Sequence, residues 1–301
     1  MHLFHPLTIG SVRLSNRIVM TATSSGHASV DGFMHDDLCA YYAERARGGV
    51  GLVIPEPVYV VAPEVTRPHI GLYDDVLVPS FRQCVHAMHQ HGAHVLVMLD
   101  QPLSIIGLAQ DNLRTIADAW VAAATRVHAT GADGVMLSCA DGGPFDQLIS
   151  RTTQSRNDTY SNRNSGRTQL LLEVIEGITQ RLGKRLIIGV RINVGESSAS
   201  GLSLQDARVI ATRLAGAGVR LLEVSCESGG DVPLARFPGW CVPLAAAIKA
   251  VVDVPVMVGG LLADPELADS VVADGSADLV ALGESLRAEP RWPHYAHSVF
   301  G

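Results

Sequence analysis

Eight short apolar runs rich in β-branched residues alternate along this chain with longer stretches of helical period. The runs are continuous rather than alternating with polar residues, which is typical of strands buried on both faces of a parallel sheet. Eight strand–helix units in 301 residues indicate a (β/α)8 barrel. The predicted strands are Arg17–Thr23, Gly51–Val60, His94–Leu99, Gly134–Cys139, Leu186–Ile192, Leu221–Glu227, Pro255–Gly260 and Leu279–Glu284.

Segments of helical period lie between these strands, and two of them have clear N-caps. Ser203 and Asp264 precede helical runs, and Pro265 takes the first helical position after the second cap. A doubly wound sheet would rarely need eight near-equal units, and neither a Pro/Ser-rich linker nor a break in composition divides the chain. We therefore expect an α/β fold with a single (β/α)8 TIM barrel domain over residues 1–301. The predicted helices are Asp36–Arg47, Val76–His91, Leu113–Thr130, Arg167–Leu182, Leu204–Ala215, Val242–Val251, Pro265–Ala273 and Ser285–Ala296.

Charge and cysteine content restrict the class of protein. Twenty-three basic and thirty acidic residues give a net charge of −7, without a dense Lys/Arg cluster, which argues against nucleic-acid binding. The five cysteines are widely spaced and form no C-x-x-C pair, which excludes a clustered zinc or iron–sulfur site and fits a reducing compartment. The apolar runs are shorter than the roughly 18 residues of a membrane span, and the N-terminal segment lacks the pattern of a secretory signal. We expect a cytoplasmic protein with neither membrane nor nucleic-acid partners.

Four histidines, His86, His89, His91 and His94, surround the predicted turn into the third strand. The i, i+3 spacing of His86 and His89 places them on one helix face. The turn, however, lies at the N-terminal end of the barrel, whereas barrel enzymes carry their chemistry at the C-terminal ends of the strands. We expect a solvated helix end here and no metal site.

Several segments resemble the Old Yellow Enzyme family of FMN-dependent oxidoreductases, in the family's order and across essentially the whole chain. They are LFHPLTIGSVRLSNRIVM near the N-terminus, YYAERARGGVGLVI, ATGADGVMLSCADG, SRNDTYSNRNSGRTQLLLEV and ADLVALGESLRAEPRWP near the C-terminus. The resemblance implies a TIM barrel, FMN, and a small unsaturated or carbonyl-containing organic substrate. It also suggests a homo-oligomer.

The family's catalytic residues are replaced in this chain. Where family members polarise the substrate carbonyl with two His, or with His and Asn, this sequence has Ser138 and Asp141, and Gly143 replaces the proton-donating Tyr. Ser138 can donate one hydrogen bond, but an ionised Asp141 only accepts and would repel an enolate. His27, after the first strand, is a third catalytic candidate because imidazole can act as acid or base. Loop-fixing hydrogen bonds and a solvated loop histidine are the alternative interpretations.

The resemblance also assigns flavin contacts. Arg191 stands where the family places a cation beside the N1/O2 edge of the flavin; the alternative is a structural ion pair with Glu223 or Glu227. Backbone N–H groups approach a phosphate most easily at small residues. The family's small residues are retained at Gly259, Gly260 and Gly283.

Other positions of the flavin site are changed. The family's Gln at the end of the third strand aligns with Met98, and a backbone N–H donor after the second strand aligns with Pro57, which has no N–H. The Pro after the first strand is Ala22, followed by Thr23. The phosphate-binding Arg after the last strand is Glu284, whose charge opposes a phosphate.

Three functions are compatible with this pattern. The first is an FMN-dependent oxidoreductase with an altered substrate site. The second is a flavin-free barrel enzyme, such as an isomerase, dehydratase or cyclase, with Asp141, Glu56 or His27 as the proton-transfer group. The third is a non-catalytic binding protein. Asp100 and Gln101 are further strand-end polar groups that could contact a ligand.

Overall fold

Eight parallel strands close into a ring in a computed structural model that describes residues 1–151, 156, 158–161, 166–195, 201–225 and 237–301. The strands are β1 Leu7–Ile9, β2 Val12–Leu14, β3 Ile18–Met20, β4 Leu52–Val53, β5 Val58–Tyr59, β6 Ile70–Gly71, β7 His94–Asp100, β8 Gly134–Cys139, β9 Ile187–Asn193, β10 Leu221–Ser225, β11 Val256–Val258 and β12 Leu279–Leu282. The ring runs β3–β4–β7–β8–β9–β10–β11–β12 and closes where β12 pairs with β3. The predicted (β/α)8 barrel is confirmed.

Helices follow the strands of the ring. Those described are α1 Asp36–Arg47, α2 Val78–His89, α3 Gln110–Thr130, α4 Pro144–Ile149, α5 Gln169–Leu182, α6 Leu204–Gly216, α7 Val242–Lys249, α8 Pro265–Ala273, α9 Glu284–Ala288 and α10 Trp292–Val299, with 3-10 turns at Asp75–Leu77, Gly166–Thr168 and Gly183–Arg185. The predicted cap at Ser203 forms a reciprocal capping box with Asp206, and Asp264 accepts a hydrogen bond from the Leu267 N–H. These caps fix where α6 and α8 begin.

Proline accounts for two differences from the predicted elements. The second predicted strand is split into β4 and β5, because Pro55 and Pro57 lie between them and cannot donate ladder hydrogen bonds. The last predicted helix is split into α9 and α10. Residues 289–291 separate the two helices, and Pro290 lies in this gap. The hairpin of β1 and β2, strand β6 and helix α4 were not predicted, since each is too short to show a period.

The barrel interior is apolar. Alternate residues of the strands point inward, and those of the inner cluster include Val19, Leu96, Met98 and Met136, with Ile9 and Leu14 of the β1–β2 hairpin packed beneath them. Gly189 makes room for this packing, because a Cβ there would lie 2.2 Å from the Met136 sulfur. The interior is therefore filled by side chains and has no pore.

A second apolar layer lies between the strands and the surrounding helices. Trp120 of α3 is fully buried and packs edge-on against Phe145 of α4, with ring centroids 5.2 Å apart. This layer holds the helices against the strands and so fixes the rim of the barrel. No helix within the described ranges is long and apolar enough to cross a membrane.

Candidate functional site

A polar layer lies above the apolar barrel interior, at the C-terminal ends of the strands. The inward-facing alternation that buries Met98, Met136 and Gly189 continues two residues further on each strand. Register confirms that these positions are neighbours, because Ser138 pairs with Arg191 and Arg191 pairs with Glu223. The inward-facing residues of this layer on four consecutive strands are Asp100, Ser138, Arg191 and Glu223.

Arg191 is the centre of this layer. Its guanidinium donates to Glu223 Oε1 at 2.9 Å, to Thr21 Oγ1 at 2.9 Å and to Asp141 Oδ2 at 3.2 Å. Thr21 in turn donates to Glu223 Oε1 at 2.5 Å. Burial opposes the charge of Arg191, but Glu223 and Asp141 outweigh it and raise the pKa of the guanidinium. Arg191 is therefore a fixed cation, and the expected ion pair with Glu223 is present; Glu227 lies outside the described residues.

Asp141 reaches Arg191 from a tight turn after β8. Its backbone has a φ of 59°, in the left-handed region that Asp tolerates better than most residues. Gly142 follows with a φ of 78°, and its N–H donates to Asp146 Oδ2 at 2.9 Å. The turn holds the Asp141 carboxylate over the mouth of the barrel, where Arg191 partly neutralises its charge.

A cavity of about 260 Å³ opens above this layer, with Thr23, Asp141, Arg191 and Glu223 among its lining residues. Two buried polar atoms of the lining, Thr23 Oγ1 and Glu223 Oε2, have no hydrogen-bond partner among the described residues. Buried polar groups are normally satisfied, so this pair offers a donor and an acceptor to a ligand. The cavity is smaller than the ~300–1,000 Å³ of typical ligand pockets, so it would enclose only part of a flavin.

Asp100 lies at the rim end of β7 and has the perturbed carboxyl of the polar layer. Burial raises the pKa of its carboxyl to about 6; the nearby charge of Asp141 adds to that rise, and the Gln101 N–H, Arg191 and Ser138 oppose it. The signal for this placement was present in the sequence, since Asp100 follows the inward-facing Met98 at a spacing of two.

Two features mark the end of the site where a phosphate is expected. The backbone at Gly283 lies close to Thr23, and the charge of Glu284 is balanced by Arg287. Gly283 packs against Thr23, and a Cβ at Gly283 would lie 2.5 Å from Thr23 Cγ2. Glu284 is the first residue of α9 rather than the last of a strand, because the chain turns at Gly283. Arg287, one turn later, forms an ion pair of 2.9 Å with Glu284, and both side chains are exposed. The acid at this position is thus accompanied by a cation.

Some of the residues that were predicted to bind the cofactor line the barrel-top cavity, and others do not. Ala22, Thr23, Arg191, Gly259 and Gly260 line the barrel-top cavity. The other four predicted residues are not among the described lining residues: Gly283 borders Thr23, and Glu284, Met98 and Pro57 lie elsewhere.

Met98 is fully buried in the inner core cluster, below the polar layer. The prediction that it lies against a ligand is wrong in its placement, because its position on β7 points it into the packed interior of the barrel. Asp100, two residues further along the same face, reaches the rim instead.

His27 is also placed away from the cavity. Its Nδ1 lies 3.5 Å from an Asp37 oxygen, and its ring packs on Tyr41, with centroids 5.4 Å apart. Both partners belong to α1, so the imidazole lies against the outer helix. The placement favours the alternative interpretation of His27 as a loop histidine.

Glu56 is enclosed by hydrogen bonds rather than exposed to a substrate. Its Oε1 accepts from the Ser25 hydroxyl at 2.5 Å and from the Tyr42 hydroxyl at 3.3 Å, while its N–H donates to the Tyr42 oxygen at 2.9 Å. These contacts tie the loop after β3 to α1. Glu56 therefore connects these segments through its hydrogen bonds.

The opposite end of the barrel holds a charged cluster where a solvated helix end was predicted. His89 Nε2 lies 2.9 Å from Asp133 Oδ2, and His94 Nδ1 lies 3.1 Å from Asp133 Oδ1. The prediction was wrong because the contact with Asp133 spans 44 residues of sequence from His89. Asp133 also accepts from the Val95 N–H at 2.8 Å, which anchors the start of β7.

A larger cavity of about 590 Å³ lies at the same end as the His89–His94–Asp133 cluster, below Ile187 at the start of β9. Lys184 and Arg220 are among its lining residues. Chemistry in (β/α)8 barrels is found at the other end of the strands. The smaller cavity above Arg191 is therefore the candidate active site.

The residues above Arg191 fit one end of a flavin. The isoalloxazine carries carbonyl oxygens and an N–H, which match a fixed guanidinium, the unpartnered Thr23 hydroxyl and the unpartnered Glu223 oxygen. Arg191 would hold the N1/O2 edge, and Gly259 and Gly260 would admit a phosphate to their backbone. Bound there, FMN supplies hydride chemistry that the side chains lack.

Comparison with known proteins agrees with this assignment. The model of the NADH:flavin oxidoreductase / NADH oxidase family matches residues 2–105 and 101–299. An NADH oxidase of Thermoanaerobacter brockii is 32% identical over 98% of this chain and 50% of its own length. An NADPH dehydrogenase of Listeria welshimeri is 28% identical over 96% of this chain and 92% of its own length.

The fold has close structural counterparts. An old yellow enzyme homologue from Zymomonas mobilis superposes with a TM-score of 0.84 at 21% identity, covering 100% of this chain and 94% of that protein. At this identity the likeness concerns the fold alone. The chain spans about half the length of the first curated relatives it matches, with shares of 50%, 47% and 48%.

Proposed function

Because the chain belongs to the NADH:flavin oxidoreductase / NADH oxidase family, the Old Yellow Enzyme family, we propose that its barrel-top site uses FMN to act on a small unsaturated or carbonyl-containing organic compound. FMN is the cofactor that family membership assigns to this flavin-dependent oxidoreductase. When bound, it carries the hydride. The electron donor that fits the relatives' names is NADH or NADPH.

The observation that carries this proposal is the fixed charge of Arg191 at the base of the cavity. Its side chain is only 12% exposed and is held by three hydrogen-bond acceptors. A preorganised cation of this kind stabilises negative charge that develops beside it without having to reorganise. The reduced ring of a flavin carries such charge at its N1/O2 edge.

The substrate end of the site differs from the family pattern in a defined way. Ser138 replaces a carbonyl-polarising side chain with a hydroxyl, and Asp141 is turned toward Arg191. Asp100 joins them from β7. A carbonyl-bearing substrate would therefore meet hydroxyl and carboxyl groups where family members present imidazole.

A flavin-free acid–base enzyme is the second candidate, and one observation favours it. Arg191 faces two carboxylates, Asp141 and Glu223, so its charge is outnumbered within the described part of the site. Such a site would bind reduced flavin less strongly than one with an unpaired cation. It would suit an isomerase, dehydratase or cyclase in which Asp100 and Asp141 exchange protons.

Titration of FMN into the purified protein tests the two candidates. The proposal expects saturable binding with quenched flavin fluorescence and a retained visible flavin band after gel filtration. Asp118→Asn, an exposed change on α3, serves as the matched control and should bind FMN as the parent does. Absence of retained flavin after incubation with excess FMN would contradict the proposal and favour the flavin-free enzyme.

A further inference from the structure

Asp100 points into the mouth of the barrel from the end of β7. The inward face of this strand carries Leu96 and Met98, both buried in the inner core cluster, and Asp100 is the next residue on that face. An acidic residue directly above an apolar core loses part of its hydration. Asp100 is partly buried at the rim, beside but not among the described residues that line the cavity above Arg191.

The carboxyl of Asp100 occupies the space above Gly143. A Cβ at Gly143 would lie 2.8 Å from Asp100 Oδ1, which is closer than a side chain and a carboxylate can approach. Gly143 is the position at which the resembled family has its proton-donating Tyr. The Asp100 carboxyl therefore lies where that Tyr side chain would begin, and it would have to rotate away to admit a side chain at position 143.

Two hydrogen-bond donors and one cation surround the Asp100 carboxyl. The Gln101 N–H donates to Asp100 Oδ1 at 2.8 Å, and the Ser138 hydroxyl donates to the carboxyl from β8. Arg191 adds an attractive charge from β9. These groups can stabilise the carboxylate once its proton has left.

Charged and titratable groups face Asp100 from each neighbouring element. Asp141 lies on the turn after β8, and Tyr59 is its register partner on β5. Arg67 lies over the Tyr59 ring, 5.1 Å from its centroid. Burial, together with the negative charge of Asp141, raises the pKa of Asp100 to about 6, so protonated and ionised forms are both accessible near neutral pH.

We propose that Asp100 is the acid of this site: it binds the substrate's carbonyl oxygen through its carboxyl O–H and donates its proton to that oxygen. The inference rests on the proposed function. As negative charge develops on the substrate oxygen, the Asp100 O–H bond breaks and the proton forms a new O–H bond with that oxygen. Both electrons of the broken bond stay on the carboxylate, which Ser138, the Gln101 N–H and Arg191 stabilise, and water returns the proton.

The test uses 2-cyclohexen-1-one as the carbonyl probe and measures its binding to the protein between pH 5 and pH 8. With a pKa of about 6, the protonated fraction falls from ~0.9 to ~0.01 over this range, so the dissociation constant should rise by up to ~90-fold. Asp100→Asn keeps an N–H donor and should bind the probe with no such pH dependence. Asp118→Asn is the matched control and should keep the parent's pH profile.

A second readout measures the proton itself. In protein labelled with 13C at the Asp side-chain carboxyls, one resonance should titrate near pH 6 and disappear in Asp100→Asn. Asp141→Asn removes the neighbouring negative charge and should lower the midpoint of that resonance. This variant retains Asp100, so the measurement stands even where Asp100→Asn fails to fold.

Three results would overturn the inference: a probe affinity that is independent of pH, a resonance that titrates at the ordinary Asp pKa, or an Asp100→Asn variant with the parent's pH profile. FMN binding is measured separately on the same samples. Retained FMN together with any of these results rejects Asp100 alone. A pH-dependent affinity without FMN binding rejects the flavin function and keeps Asp100 as the acid.

Discussion

Arg191 and Glu223 lie side by side on β9 and β10, in register, and their side chains form an ion pair of 2.9 Å at the mouth of the barrel. Glu223 is only 4% exposed, and Arg191 is the cation that pairs with it. This ion pair therefore has two effects. It stabilises the polar layer above the apolar core, and it fixes the cation that faces the cavity. The following predictions depend on this arrangement and its surroundings.

Removing the cation alone should destabilise the fold. Arg191→Met leaves the buried Glu223 carboxylate unpaired, and the loss of one partner of a buried pair costs about 3–5 kcal/mol of unfolding free energy. Urea denaturation measures the change. The double variant Arg191→Met with Glu223→Gln removes both charges and should recover much of the loss. Equal stability of the single variant and the parent would show that the pair is not coupled.

Met98 should behave as a core residue. Met98→Ala leaves a void beneath the polar layer and should lower the unfolding free energy by about 2–5 kcal/mol, measured by urea denaturation. Met98→Leu conserves volume and should cost less than about 1.5 kcal/mol. An Ala variant as stable as the Leu variant would place Met98 outside the packed interior.

The sequence predicts the barrel well because its elements depend on local periodicity. Helices α1 and α8 begin and end at the predicted residues, and β8 matches Gly134–Cys139. Element ends are harder, since Gly283 turns the chain and makes Glu284 the start of α9. Nothing local in the sequence indicates that turn.

The candidate site is less predictable, because it depends on contacts between distant strands. The ion pair of Arg191 with Glu223 was expected as one alternative, since both residues lie on consecutive predicted strands. The network of His89 and His94 with Asp133 was not expected, because their proximity arises only when β7 and β8 pair. The spacing from Met98 places Asp100 on the inward face, but its raised pKa depends on burial and on Asp141, which lies on another strand end.

Stability should depend on pH through His94. The hydrogen bond with Asp133 raises the pKa of His94 despite its burial, so the folded protein holds this proton more tightly than the unfolded chain. The resulting stabilisation is complete below the unfolded His pKa of roughly 6.5 and is lost as pH rises through the higher folded pKa. Melting temperature should therefore fall between pH 6 and pH 9.

His94→Gln should reduce that slope, while His86→Gln, an exposed change on α2, should leave it as in the parent. Asp133 affects stability at acidic pH rather than near neutral pH. Burial opposes its charge, but hydrogen bonds from His89 and His94 hold the pKa of Asp133 below its usual range, so its contribution is lost only in strong acid. An unchanged slope in His94→Gln would assign the pH dependence to other groups.

The pair of Glu284 and Arg287 offers a charge test of the phosphate end. Glu284→Gln should tighten FMN binding and Arg287→Gln should weaken it, because each removes one sign of charge from the first turn of α9. Both side chains are exposed, so the effects should be modest, at most about five-fold at low salt, and should shrink as salt screens them. Isothermal titration with FMN measures both variants. Identical affinities would place the phosphate elsewhere.

Anaerobic addition of NADH or NADPH to the FMN-loaded protein tests the central claim most directly. A flavin-dependent oxidoreductase should show loss of the visible flavin band as the flavin is reduced, and return of the band when air is admitted. Asp118→Asn should behave as the parent. A flavin band that persists with both nucleotides, in protein that has retained FMN, would contradict the assignment of this barrel as an oxidoreductase driven by nicotinamide nucleotides.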